Sequence, residues 1–164
     1  MTTVLVVAGP ESTRRRASHE GAGSGASPSS RTPPVILVGL RDEFKALASE
    51  GVDVVVRQTD DEATLISWLH EAASAGWGVV VNPAAYTHYS YALRDAAAVV
   101  TAAGLPLIEV HRSNPVRDEH RPASVLSAAA TGVIAGLGLD SYRFAVRAAA
   151  DRVTARAVPA TAQA

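Results

Sequence analysis

The apolar residues of this chain fall in short, valine-rich blocks. Val4-Leu5-Val6-Val7-Ala8, Val52-Asp53-Val54-Val55-Val56, Val79-Val80-Val81, Leu107-Ile108-Glu109-Val110 and Gly132-Val133-Ile134-Ala135 stand out first. Runs that are apolar throughout, rather than alternating with polar residues, mark strands buried on both faces. Between them the period changes. Arg41–Glu50 carries Phe44, Leu47 and Ala48 on one helical face and stops at Gly51. Thr59-Asp60-Asp61-Glu62 has the form of a capping box with Thr59 as the cap. The helix it opens turns Leu65, Ile66, Leu69, Ala72 and Ala73 inward, leaves His70 and Glu71 on the surface, and ends at Gly76. Further helices are predicted over Ala92–Ala103 and Asp140–Arg156. Strands alternating with helices predict an α/β fold with a parallel sheet and right-handed crossovers, the second block counting among the core strands. Residues 35–40 are apolar but hemmed in by Pro33-Pro34 and Gly39, and fit either an edge strand or the lead-in to a helix.

Two segments break the pattern. Residues 11–34 hold Arg14-Arg15-Arg16 and a Gly/Ser/Pro-rich run that cannot bury enough apolar surface to order itself, so a mobile, lid-like loop is expected there. The arginines have two readings, closure over an anion or plain solvated charge. Residues 157–164 should form a disordered tail. One domain over 1–156 is the result. With 164 residues, 48% of them hydrophobic, the chain can bury its own core. A formal net charge of -1 argues against nucleic acid as a partner. The lack of cysteine excludes disulfides and thiolate metal sites. No apolar run reaches the ~18 residues of a membrane span. The start, MTTVLVVAGP, lacks the basic residues of a signal peptide, so a cytoplasmic protein is expected.

The polar residues that carry chemistry gather where two strands end. Asn82-Pro83 closes the third block, and Thr87, His88 and Ser90 crowd into the turn before the next helix. In a parallel α/β sheet, ligands bind at such carboxyl ends. Taken alone, Asn82 and Thr87 are better explained as turn and cap residues, and it is a second strand end of the same character that favours a site. The fourth block ends similarly, in His111-Arg112-Ser113-Asn114-Pro115, with Arg121 further along the connection. There is no carboxylate pair of the glycosidase kind, no G-x-S-x-G elbow and no G-x-G-x-x-G turn. Two histidines without a third ligand at suitable spacing argue against a metal, and no cofactor is implied. What remains is a polyhydroxylated anionic small molecule. Asn82 and His88 would hold hydroxyls, Ser113 and nearby amides a carboxylate, and Arg121 would add charge. His111 is a proton donor or acceptor near neutral pH.

Four stretches, RQTDDEATLISWLHEA (57–72), NPAAYTHYSYALRDA (82–96), LIEVHRSN (107–114) and ATGVIAGLGLDSY (130–142), together resemble the type II 3-dehydroquinate dehydratases. The resemblance implies a flavodoxin-like three-layer domain with a five-stranded parallel sheet in the order 2-1-3-4-5. It implies trimers assembled into a dodecamer, and removal of water from 3-dehydroquinate in the shikimate pathway without metal or organic cofactor. It makes Asn82, His88 and Arg121 ligands of substrate hydroxyls, and Ser113 with the amide of Arg112 the carboxylate cradle. His111 becomes the general acid, oriented by Glu109, and Asp95 an acidic residue lent to a neighbouring subunit.

The departures lie on the other half of the site. The family carries an asparagine after Gly-Pro, then a lid with an arginine and a tyrosine whose phenolate takes the proton α to the ketone. Here Glu11 follows Gly9-Pro10, and no tyrosine precedes Tyr86. Ala84 replaces a glycine, and the connection from Asn114 to Arg121 is one residue shorter. Only His19 or an arginine-activated group is near at hand as a substitute base. Three readings follow: a dehydratase of the family, a relative recruited to another dehydration or cyclisation in secondary metabolism, or a non-catalytic binding subunit.

Overall fold

The computed structural model describes residues 2–10, 39–117 and 123–157. The valine-rich blocks form β1 (Thr2–Ala8), β2 (Val52–Gln58), β3 (Gly78–Asn82), β4 (Leu107–His111) and β5 (Gly132–Ala135). All pairings are parallel, and the sheet order is β2-β1-β3-β4-β5. The helices are α1 (Arg41–Ser49), α2 (Glu62–Ala75), α3 (Tyr91–Ala102) and α4 (Asp140–Ala157). This is the flavodoxin-like architecture.

Side chains alternate across each strand, so every central strand feeds two cores. Val4, Val6, Val80, Ile108 and Val110 meet Leu47 of α1 and Tyr142, Ala145 and Ala149 of α4. Leu5, Val7, Val79, Val81 and Leu107 meet Leu65 and Leu69 of α2 and Leu93 and Val100 of α3. Burying one such side chain fully contributes roughly 1.5–3 kcal/mol, which is why strands apolar throughout end in the middle of the sheet.

Three expectations need correction. The second block is an edge strand, and Val54, Val55 and Val56 are only half-buried. Ala48 is exposed, leaving Leu47, with half-buried Phe44, as the inward face of α1. The cap of α2 is Asp61, whose side chain accepts from the Thr64 amide at 2.8 Å. Thr59 stands too early: its Oγ1 accepts from the Asp61 amide at 3.0 Å, and the helix starts only at Glu62. Of residues 35–40, Leu40 packs into the core ahead of α1, while 35–38 lie outside the described residues. So do the predicted lid at 11–34 with Arg14, Arg15, Arg16 and His19, the tail beyond Ala157, and Arg121. No helix among the described residues is long and apolar enough to cross a membrane.

Candidate active site

A parallel sheet brings all its carboxyl ends to one edge. Here the edge carries Gly9 after β1, Asn82 at the end of β3 and His111 at the end of β4. Strand order reverses between β1 and β3, the switch point at which open α/β sheets form a crevice. Gly9 donates to Asn82 O at 2.8 Å, and a Cβ on it would stand 3.1 Å from Pro83 O and 3.4 Å from the Ala84 methyl. A side chain at this position would crowd the close approach of the two chain segments. Asn82 turns towards α4, where its Nδ2 donates to the Tyr142 hydroxyl at 2.7 Å. Its Oδ1 accepts from the Ala84 amide at 3.0 Å, closing the turn. Ala84 has φ 53°, in the left-handed region that a glycine occupies without strain. Burial pushes the Tyr142 hydroxyl up to about 12 against the opposing effects of Asn82 and Arg112.

Glu109 and His111 are two residues apart on β4 and so share a face. The Glu109 carboxylate is fully buried, and its Oε1 lies 2.7 Å from His111 Nε2. Three hydroxyls reach it as well. Thr87 Oγ1, on the 3₁₀ turn Ala84–His88, donates to Oε1. Ser124 Oγ lies 3.0 Å from Oε1 and 2.7 Å from Thr87 Oγ1. Ser127 Oγ donates to Oε2 at 2.5 Å. Burial alone pushes the carboxyl up. The bonds from His111, Ser127 and Thr87 outweigh it and hold the group below the usual carboxylate range. An ionised carboxylate only accepts, so His111 carries a proton on Nε2. Its Nδ1 makes no hydrogen bond to a described residue.

The remaining predicted residues are distributed around this pair. His88 is half-buried at the end of the 3₁₀ turn, and the helix cap that follows is Ser90, which accepts from the Leu93 amide. Arg112, Ser113 and Asn114 are exposed beyond β4, and Ser113 makes no hydrogen bond to a described residue. Asp95 is exposed on α3 beside Arg94, at 3.3 Å. Sequence reasoning missed Ser124, Ser127 and the Tyr142 support of Asn82, and placed Thr87 in the candidate turn without its bond to Glu109. A buried carboxylate predicts such donors in general, but nothing local says where they come from. Among the described residues, no three His, Asp or Glu side chains gather closely enough to hold a metal ion.

A flavodoxin-like sheet with a histidine–carboxylate pair at its carboxyl edge defines the class of protein. Residues 36–150 match the family model described as dehydroquinase class II, and the chain belongs to that family. It is 57% identical over 103 residues to the 3-dehydroquinate dehydratase of Salinispora tropica, covering 62% of this chain and 70% of that one. The crystal structure of type II dehydroquinase from Propionibacterium acnes superposes with a TM-score of 0.74 at 38% identity, covering 92% of this chain and 99% of that one. A 3-dehydroquinate dehydratase-like protein from Bifidobacterium longum gives 0.66 at 39% identity, covering 94% and 99%.

Proposed function

We propose that this chain is a type II 3-dehydroquinate dehydratase-like hydro-lyase acting on a cyclic polyhydroxy carboxylate, with His111 as general acid. The observation that carries it is the buried Glu109–His111 pair at the end of β4. In the reaction a base removes the proton α to the ketone, and the electron pair moves into an enolate. The enolate collapses to the enone as the C–O bond of the leaving hydroxyl breaks, and that hydroxyl departs as water with a proton from His111. As an imidazolium bonded to Glu109 through Nε2, His111 would deliver the proton from Nδ1. Strand β4 is a rigid support for such a group. His88, Ser113, Arg121 and the amide of Arg112 are the proposed ligands of the hydroxyls and the carboxylate. Asn82 is proposed alongside them, with Oδ1 already used in the turn.

No base is identified among the described tyrosines. The Tyr86 hydroxyl donates to Asp60 O at 2.8 Å. Burial first, then the neighbouring Tyr89, Glu62, Asp61 and Asp60, pushes it up, away from the phenolate. Tyr142 is pushed up to about 12. Positioned proton transfer commonly contributes ~10²–10⁴-fold, so turnover of dehydroquinate is expected to be weak. The same observation favours a second reading, recruitment to another dehydration or cyclisation, ahead of a non-catalytic binding subunit. Enone formation from dehydroquinate, followed by ultraviolet absorbance, tests this. A turnover number of ~1–10³ s⁻¹ would show that an unidentified base is in place. Slow turnover abolished by His111→Ala supports the reading. Binding of dehydroquinate with no turnover in either protein would leave the binding-subunit reading. The protein is further proposed to be a cytoplasmic homo-oligomer, trimers assembling into a dodecamer.

A further inference from the structure

We propose that Ser127 is a positioning residue for His111, acting with Thr87 and Ser124 as a hydroxyl clamp on Glu109. The inference rests on His111 as the acid and adds what controls its proton. A carboxylate without solvent contact is stable as an anion only if its lone pairs are filled. At Glu109 they are filled unequally. Oε1 receives Thr87, Ser124 and His111, whereas Oε2 receives Ser127 at 2.5 Å and a long 3.3 Å approach from Ser124. Ser124 has one proton to divide between Thr87 and both carboxylate oxygens, while the proton of Ser127 is committed to Oε2. Ser127 therefore fixes the rotation of the carboxylate, and with it which lone pair faces His111 Nε2. A carboxylate so fixed holds the Nε2–H tautomer and leaves Nδ1 for the ligand.

The clamp also joins chain segments distant in sequence. Thr87 belongs to the turn after β3, and Ser124 and Ser127 to the connection between β4 and β5. Val125 donates to Thr87 O at 2.8 Å, and Ser124 Oγ accepts from the Leu126 and Ser127 amides at 3.1 and 3.0 Å. Removing the Ser127 hydroxyl leaves these loop bonds intact, so Ser127 is the clean probe and Ser124 is not. His111 is the titratable group in contact with the carboxylate among the described residues. His88 follows Thr87, Arg112 follows His111, and residues 123–127 carry no charge.

The test is NMR of the full chain, with labelled histidine nitrogens and glutamate carboxyl carbons, in wild type, Ser127→Ala, Ser127→Thr and Thr87→Val. In wild type the Nε2–H tautomer of His111 should dominate and Glu109 should titrate below the ordinary carboxylate range. Loss of a charge-assisted bond in Ser127→Ala should raise the Glu109 midpoint by about one pH unit and let the Nδ1–H tautomer appear. Ser127→Thr should restore both. A folded Ser127→Ala with unchanged tautomer and unchanged Glu109 titration overturns the proposal. If Ser127→Ala does not fold, the same two readings in Thr87→Val decide. Neither readout needs turnover, so failure to dehydrate dehydroquinate would count against the proposed function alone.

Discussion

Glu109 has no exposed surface, yet it is held ionised by partners from three chain segments, and that sets a pH dependence. Its folded pKa is depressed, so its contribution to stability is present above the unfolded value near 4.3. It is lost as the pH falls through the folded value. Denaturant unfolding at pH 7 and pH 3 should show this acid loss in wild type and a smaller one in Glu109→Gln. Tyr142 acts with the opposite sign. Its folded value is raised from 10 to about 12, so its contribution is present below pH 10 and lost between pH 10 and 12. The amount is on the order of 3 kcal/mol, and Tyr142→Phe should remove that alkaline loss. At the anion side, Ser113→Ala should weaken binding of a cyclic carboxylate by roughly 1–3 kcal/mol, measured by calorimetry. Glu109 entered only through the family resemblance, whereas the strand-end positions of Asn82, His111 and Ser113 could be read from the sequence. Ser124, Ser127 and Tyr142 could not, since a hydroxyl that meets a carboxylate only through tertiary folding leaves no period or spacing behind.

The strands were readable because burial on both faces writes a continuous apolar run, and the helices because a single buried face writes a period. What failed was competition between neighbours of equal chemistry. Thr59 and Asp61 both suit a cap, and the chain stays extended past β2 through Thr59, whose hydroxyl takes the Asp61 amide and leaves Asp61 to cap the Thr64 amide. Likewise β2 reads as a core strand from its valines, and only the topology places it at the edge, where Arg57 bonds Glu71 and stacks on Trp68 and Trp77. Thermal unfolding should therefore respond to Asp61→Ala more than to Thr59→Ala. On the turn after β3, Ala84 occupies φ 53° where a left-handed conformation costs an L-residue about 1–2 kcal/mol. Ala84→Gly should raise stability by up to about 1 kcal/mol, the gain being reduced by the greater entropy of an unfolded glycine.

Among the described residues the sheet ends at β2 on one side and at β5 on the other, and the two edges differ. On β2 the Arg57 side chain stacks on Trp68 and Trp77 and bonds Glu71, whereas β5 is short and leaves Val133 46% exposed, with Leu137 and Phe144 also exposed. An uncovered strand edge invites pairing with another chain, and folded proteins cover it or blunt it. Tyr89 and Tyr91 add exposed aromatic surface at the start of α3, beside Arg94 and Asp95. These features support the proposed homo-oligomer, in which Asp95 would serve a neighbouring subunit's site rather than its own. Light scattering at micromolar concentration is expected to give a multiple of the 17.0 kDa chain mass, a dodecamer being the proposed end point. Asp95→Ala should then weaken ligand binding although the residue lies on an exposed helix face of its own subunit. A monomeric mass would remove both expectations together, because an aspartate with no neighbour to reach has no route to the ligand. An oligomer in which Asp95→Ala binds as wild type would keep the assembly and place the acidic residue outside the site.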